Sequence, residues 1–186
     1  MTPANVVKFV VDNFDSAAEA GVATGMHPLV ILAHAGLEGG WGKSALARVH
    51  HNHFGYKTGA NWKGKRILLT TTEYFKTPGQ KGFPEIISIV HEPASNRYKY
   101  TVKDWFRAFD SADEGFLSYA KTMTTGRYKA VARLSDPVAF ARGIAALGYH
   151  TSNADAYAKQ VQTAFGWAVD VVKKKGLRLV ELEPLA

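Results

Sequence analysis

The chain has 186 residues, no cysteine and a formal net charge of +7. Its length suits one domain with a real hydrophobic core, and the missing cysteines exclude disulfides and thiol nucleophiles. Apolar residues make up 46% and charged residues 21%, as in ordinary globular proteins, with no apolar run long enough to span a membrane.

The opening "MTPANVVKFVVDNFDSA" has one lysine and an apolar patch broken by Asp12 and Asp15. It lacks a cleavage site and does not read as a signal peptide. Residues 3–24 read as a first helix, with Val6, Val7, Val10, Val11 and Phe14 as its apolar stripe. Pro28 opens a second helix at its first turn, where a missing N–H does no harm. "PLVILAHAGLE" is apolar on nearly all sides, which predicts a central buried helix ended by Gly39, Gly40 and Gly42.

The middle changes character. "KRILLTTTEYFKTPGQKGF" and "PEIISIVHEPASNRYKYTVKDWFRAFDS" are rich in β-branched and aromatic residues, with turn signals at "TPGQKG" and "EPASN". They predict strands of a small antiparallel sheet, a lobe over about 62–109. Helical pattern returns at Ser111, where Ser111 and Glu114 form a capping-box pair. "SDPVAFARGIAALG" has an N-cap region, an early proline and a glycine stop. "NADAYAKQVQTAFGWAVDVVKKKG" reads as a long last helix with basic residues in its final turn. Residues 177–186 form a short tail, either a strand or loose chain.

The expected architecture is therefore α+β, a single domain over 1–186. A mostly helical lobe carries a small antiparallel β-hairpin lobe that flanks a groove for substrate.

Glu38 is the residue that needs a reason. It ends an apolar helix, where burial and the exposed carbonyls both disfavour a negative charge. A glutamate held protonated near neutral pH is what general acid catalysis uses. Gly36, Gly39 and Gly40 would keep bulk away from it, and Trp41 offers a flat face suited to a sugar ring or to core packing. The alternative is a glutamate paired with a neighbour such as Lys43. A second carboxylate sharpens the case, because glycoside cleavage usually pairs two. Glu73 lies on the same predicted strand face as Ile67, Leu69, Thr71 and Phe75. It is either catalytic or an edge-strand acid meeting water. Asp104, Asp110, Asp113 and Glu114 read as turn and cap residues.

These residues resemble a known family. "LAHAGLEGGWGKS" is similar to the catalytic-helix motif of glycoside hydrolase family 73, the endo-β-N-acetylglucosaminidases that cut peptidoglycan, in its flagellar-type branch. "HNHFGYKTGANWKGK", "TTTEY", "WFRAFDSADEGFLSYAKTM", "GRYKAV" and "ALGYHTSNADAYAKQV" match further segments of that family in the same order, over roughly His27 to Lys175. The resemblance implies a lysozyme-like fold, Glu38 as general acid, Glu73 as second carboxylate and Tyr149 in a supporting role. It puts Trp41, Asn52, Phe54, Trp62, Tyr128 and Tyr157 at substrate-binding or scaffolding positions. It implies no cofactor and no metal, peptidoglycan glycan strands as partner with no nucleic acid and no membrane insertion, a monomer, and action in the periplasm, outside the cell or at the cell wall. His51 stands where the family usually has tyrosine. The stretch from Gln80 to Tyr100 is longer by about one hairpin, and "HTSNADAY" is longer than the family's loop.

Rival readings have their own signals. His34, His50, His51 and His53 could suggest a metal site, but there is no His-Glu-x-x-His and no cysteine to support zinc. The positive charge and the aromatics of "NRYKYTVKDWFR" would suit a binding module for nucleic acid or wall polymer. A muramidase could use the same scaffold, and a lytic transglycosylase would use one glutamate on a similar helix but make anhydro ends.

Overall fold

The computed structural model describes residues 1–149 and 153–178 of the chain. They form α1 (Ala4–Thr24), α2 (Pro28–Glu38), α3 (Ala45–His50), β1 (Arg66–Phe75), β2 (Glu85–Glu92), β3 (Arg97–Arg107), α4 (Ala112–Thr125), α5 (Pro137–Ala146) and α6 (Ala154–Lys175). The chain divides into two compact units. One comprises Met1–Gly55 with Phe109–Ala186, and the other Tyr56–Ala108. The mixture of helices with a small antiparallel sheet is the expected one. Apart from its first two residues, the tail lies outside the described residues.

In the helical unit the core is built around α2. Every residue from Pro28 to Gly36 is buried, and Val30, Ile31 and Leu32 have no exposed surface. A helix apolar on all sides must be surrounded, and α2 packs against both α1 and α6. Its start combines Pro28 in the first turn with His27, whose Nδ1 accepts from the Leu29 N–H at 3.2 Å. The buried stripe of α1 is Val6, Phe9, Val10 and Phe14, while Val11 is 42% exposed. The helical period carries the stripe through Phe9 rather than Val11.

The later helices follow their cap chemistry. Ser111 Oγ accepts from the Glu114 N–H at 3.2 Å. Glu114 returns its carboxylate to the N–H of Asp110, one residue before the expected position. Asp136 caps α5 ahead of Pro137, and Asn153 Oδ1 accepts from Asp155 and Ala156 to start α6. Lys173, Lys174 and Lys175 sit in the last turn of α6, where positive charge meets the free carbonyls. The short α3 has no counterpart in the sequence reading.

The second unit is a three-stranded antiparallel sheet in the order β1-β3-β2. The central strand β3 supplies its interior, with Tyr100 and Val102 fully buried. Glu73 of β1 faces Tyr100 across the pair. β2 is an edge strand with a register shift between Ile86 and Ser88.

Candidate active site

Glu38 is the last residue of α2, and its side chain is 28% exposed at the end of an otherwise buried helix. Behind it the chain turns sharply. The Gly39 N–H returns to Ala35 O at 2.9 Å, and the Trp41 N–H to Gly36 O at 2.7 Å. Trp41 has φ of +56°, a left-handed conformation that bulky residues rarely adopt. The turn lays the indole over Gly36, where a Cβ would come within 2.4 Å of the ring. A Cβ on Gly39 would meet the His53 carbonyl at 2.8 Å. These two glycines therefore admit the protein's own Trp41 and backbone. The expectation that they keep space for substrate is corrected at both positions. Trp41 meets Phe9 and Trp167 edge-on, with ring centres at 5.6 and 5.7 Å. Together with Leu37, Gln160 and Thr163, the two tryptophans line a cavity of about 440 Å³.

One helical turn before Glu38, on the same face, is His34. It has no exposed surface. Its Nε2 lies 3.4 Å from Glu38 Oε1 and 2.5 Å from the Tyr157 hydroxyl, and its Nδ1 lies 2.5 Å from the Tyr119 hydroxyl. The Tyr157 hydroxyl donates to Glu38 Oε1 at 3.3 Å. Burial first, then the charge of Glu38, pushes the Tyr157 pKa far above that of an ordinary phenol. Tyr157 therefore keeps its hydrogen at any working pH. The rings of Tyr149 and Phe140 close around His34 at 5.0 and 5.6 Å. Tyr149 also meets Tyr128 at 5.6 Å. Sequence reading noticed His34 only as a metal candidate. Its tyrosine partners lie 85 and 123 residues away, so no local pattern reveals them.

In the sheet unit, Glu73 is ion-paired. Lys57 Nζ sits 2.6 Å from Glu73 Oε1 and 3.0 Å from Asp104 Oδ2. Burial alone would lower the Lys57 pKa, but its hydrogen bonds and the charges of Glu73 and Asp104 outweigh that and raise it. The ammonium therefore persists as a bridge between two carboxylates. Asp104 belongs to β3 and is not a turn residue. In the same unit, Trp62 donates its indole N–H to Lys65 O at 2.9 Å and carries the Arg107 guanidinium over its ring at 4.5 Å.

Several expected site residues are interior. Asn52 is 2% exposed, Phe54 5%, Tyr128 8% and Tyr157 2%. Phe54 stacks on Tyr119 with ring centres 3.7 Å apart, so it supports the tyrosine that holds His34. His53 is buried between Phe9 and Phe116, and its Nδ1 has no hydrogen-bond partner among the described residues. Among those residues, no three His, Asp or Glu side chains gather as metal ligands. No described helix is long and apolar enough to cross a membrane.

His53 gives a pH prediction. Burial first, and the neighbouring His51 second, push its pKa down to about 4. The unfolded chain takes up that proton near pH 6.5 (roughly the free histidine value) while the folded chain refuses it. Stability from this group is full above about pH 6.5 and is lost as the pH falls toward 4. Urea melts at pH 7.5 and 5.0 are expected to show the drop, and His53→Phe should flatten it. An equal drop in the variant would assign the loss to other groups.

A family model described as mannosyl-glycoprotein endo-beta-N-acetylglucosaminidase matches residues 14–165. The peptidoglycan hydrolase FlgJ of Pseudomonas aeruginosa is 29% identical over 164 residues, covering 85% of this chain and 36% of that protein. The chain thus spans little more than a third of that relative's length. Among solved structures, a peptidoglycan hydrolase from Sphingomonas sp. A1 superposes with a TM-score of 0.68 at 26% identity, covering 95% of this chain and 99% of that one. The catalytic domain of the autolysin Auto from Listeria monocytogenes gives 0.70 at 21% identity, covering 93% and 89%, and shares the fold. The fold is the expected lysozyme-like one.

Proposed function

We propose, from the premise that this chain belongs to the glucosaminidase family whose model spans residues 14–165, that it hydrolyses the β-1,4 bond after N-acetylglucosamine in the glycan strands of peptidoglycan. The observation that carries the reading is Glu38. It is a partly exposed carboxyl at the carbonyl end of a buried helix, with a buried phenol donating to one oxygen. Relatives that are peptidoglycan hydrolases supply the substrate class. The net charge of +7 suits an acidic wall.

In this reaction Glu38 protonates the leaving glycosidic oxygen as the bond to the anomeric carbon breaks. Glu73 is the second carboxylate, and its ion pair with Lys57 suits an anionic role. It is the candidate base for a water that attacks the anomeric carbon, which would invert the product, and attack by the substrate's own N-acetyl group is the alternative that the anomer formed distinguishes. Tyr149 supports the acid from within the aromatic shell. Trp41 offers a face to a sugar ring, and Trp62 does the same from the sheet unit. The buried Asn52, Phe54, Tyr128 and Tyr157 serve as scaffold. The protein acts as a monomer without cofactor or metal, in the periplasm or at the cell wall, and neither nucleic acid nor membrane insertion is part of its work.

Incubation with purified peptidoglycan tests the reading. Soluble glycan fragments are expected, with or without EDTA. Binding without release would make the chain a wall-binding module, and EDTA sensitivity would point to a metal enzyme. Glu73→Gln is expected to lower kcat by about a hundredfold or more, and NMR of the fresh product should show the α anomer. A retained β anomer with near-normal activity in that variant would make the substrate's own N-acetyl group the nucleophile.

A further inference from the structure

We infer that Lys57 and Asp104 are positioning residues for Glu73: Asp104 anchors the Lys57 ammonium, and the ammonium holds the Glu73 carboxylate in place on one face of the sheet. The inference rests on Glu73 being the second carboxylate, as proposed above.

The strand register brings the three groups together. Glu73 stands opposite Tyr100, and Leu69 opposite Asp104, so by alternation Glu73 and Asp104 share one face of the β1–β3 pair. Both reach the same atom. Lys57 Nζ donates to Glu73 Oε1 at 2.6 Å and lies 3.0 Å from Asp104 Oδ2. Two carboxylates gathered at one point repel each other unless a cation stands between them. Lys57 is that cation.

Its place is fixed by the backbone. Lys57 pairs with Phe106 in an antiparallel bridge. On either side of it, the Arg107 N–H donates to Tyr56 O and the Thr58 N–H to Trp105 O, both at 2.9 Å. The segment carrying the ammonium is thus tied to β3. The ammonium also sits 6.0 Å from the ring centres of Phe83 and Phe106, within reach of their faces. Asp104 is pinned as well, because its Oδ1 accepts from the Trp105 N–H at 2.8 Å while Oδ2 meets Lys57. Glu73 is the member with the most side-chain freedom, and a bond to a fixed donor removes much of it. All of these residues belong to the sheet unit, so the arrangement is complete within it.

A merely structural ion pair has a different signature. The side chains of Lys57, Glu73 and Asp104 are 38%, 27% and 18% exposed, and pairs this open to water add little to stability. Removing the cation should therefore change kcat far more than the melting temperature. The same strand supplies a control. Lys103 pairs with Glu85 at 2.6 Å, and alternation puts Lys103 on the other face of β3 from Asp104.

The first test needs no substrate. A ¹³C NMR titration of Lys57 Cε in the full chain should show a midpoint above that of an ordinary lysine, and Glu73→Gln and Asp104→Asn should each lower it. An ordinary midpoint, or one that either substitution leaves unmoved, would overturn the arrangement. The second test is kinetic. Lys57→Met keeps the length of the side chain without its charge, and kcat is expected to fall about tenfold or more with KM little changed. Lys57→Arg restores a cation and should recover most of the loss, while Lys103→Met should leave kcat as in the wild type. In the Glu73→Gln background, Lys57→Met should cost nothing further, because the carboxylate it positions is gone. Should Lys57→Met fail to fold, Asp104→Asn decides: it keeps an oxygen for the Trp105 N–H but loses the charge, and kcat should again fall while KM holds. Wild-type kcat in Lys57→Met or Asp104→Asn, an equal loss from Lys57→Met in the Glu73→Gln background, or an equal loss from Lys103→Met would overturn the inference. Near-normal kcat in Glu73→Gln alone would instead overturn the proposed base, and the titration would still read the arrangement by itself.

Discussion

Glu38→Gln should lower kcat on peptidoglycan by about a hundred- to ten-thousandfold, the range that a positioned general acid contributes. The substitution keeps the shape of the side chain and an oxygen to accept from Tyr157. What it removes is the proton that goes to the leaving oxygen. The expected stability change has a different sign from the activity change. The free carbonyls of a helix end suit an uncharged side chain, and an amide can never carry a charge there. The variant should therefore melt at or slightly above the wild-type temperature while being nearly inactive. A circular-dichroism melt beside a fragment-release assay reads both at once. Activity within tenfold of wild type would move the acid's role to another residue. Inactivity together with a large fall in melting temperature would make Glu38 a structural group.

Phe116→Ala should produce the largest loss of stability. Phe116 has no exposed surface, and its ring meets His53 at 5.1 Å and Phe54 at 5.6 Å. Removing a buried phenyl forfeits its transfer free energy and leaves a void, together about 3–5 kcal/mol. At this chain length that is a fall in melting temperature of roughly 6–20 °C. The site should feel it as well, because Phe54 stacks on Tyr119 and Tyr119 bonds to His34. Chemical denaturation of the purified variant reads the stability. A cost below about 1 kcal/mol would mean that the neighbours collapse into the space and that this part of the core is plastic.

The candidate residues differ in how far they can be read from sequence. The α2 helix and its terminal glutamate are fully legible, because proline at the start, an unbroken apolar run and glycines at the end are local signals. The capping pair of Ser111 and Glu114 is legible for the same reason. The six residues of α3 are too few to show a period, so that helix leaves no pattern to read. Glycine next to a glutamate looks like room for a ligand, but only the folded chain shows that Trp41 fills the room at Gly36. The partners of charged residues are equally hidden. Glu73 is read either as catalytic or as an edge residue meeting water, and the ammonium beside it comes from Lys57, which precedes the strand. His34 is conspicuous in sequence because histidines cluster after it. Its partners Tyr119 and Tyr157 come to it only through the fold, from α4 and α6.

The central claim is that the glycan strand is cut after N-acetylglucosamine with Glu38 as acid. Mass spectrometry of the fragments released from purified peptidoglycan by the wild-type chain and by Glu38→Gln tests it most directly. The expected result is fragments with a reducing N-acetylglucosamine end from the wild type and none from the variant. Fragments ending in reducing muramic acid, or in its anhydro form, would contradict the claim and make the enzyme a muramidase or a transglycosylase.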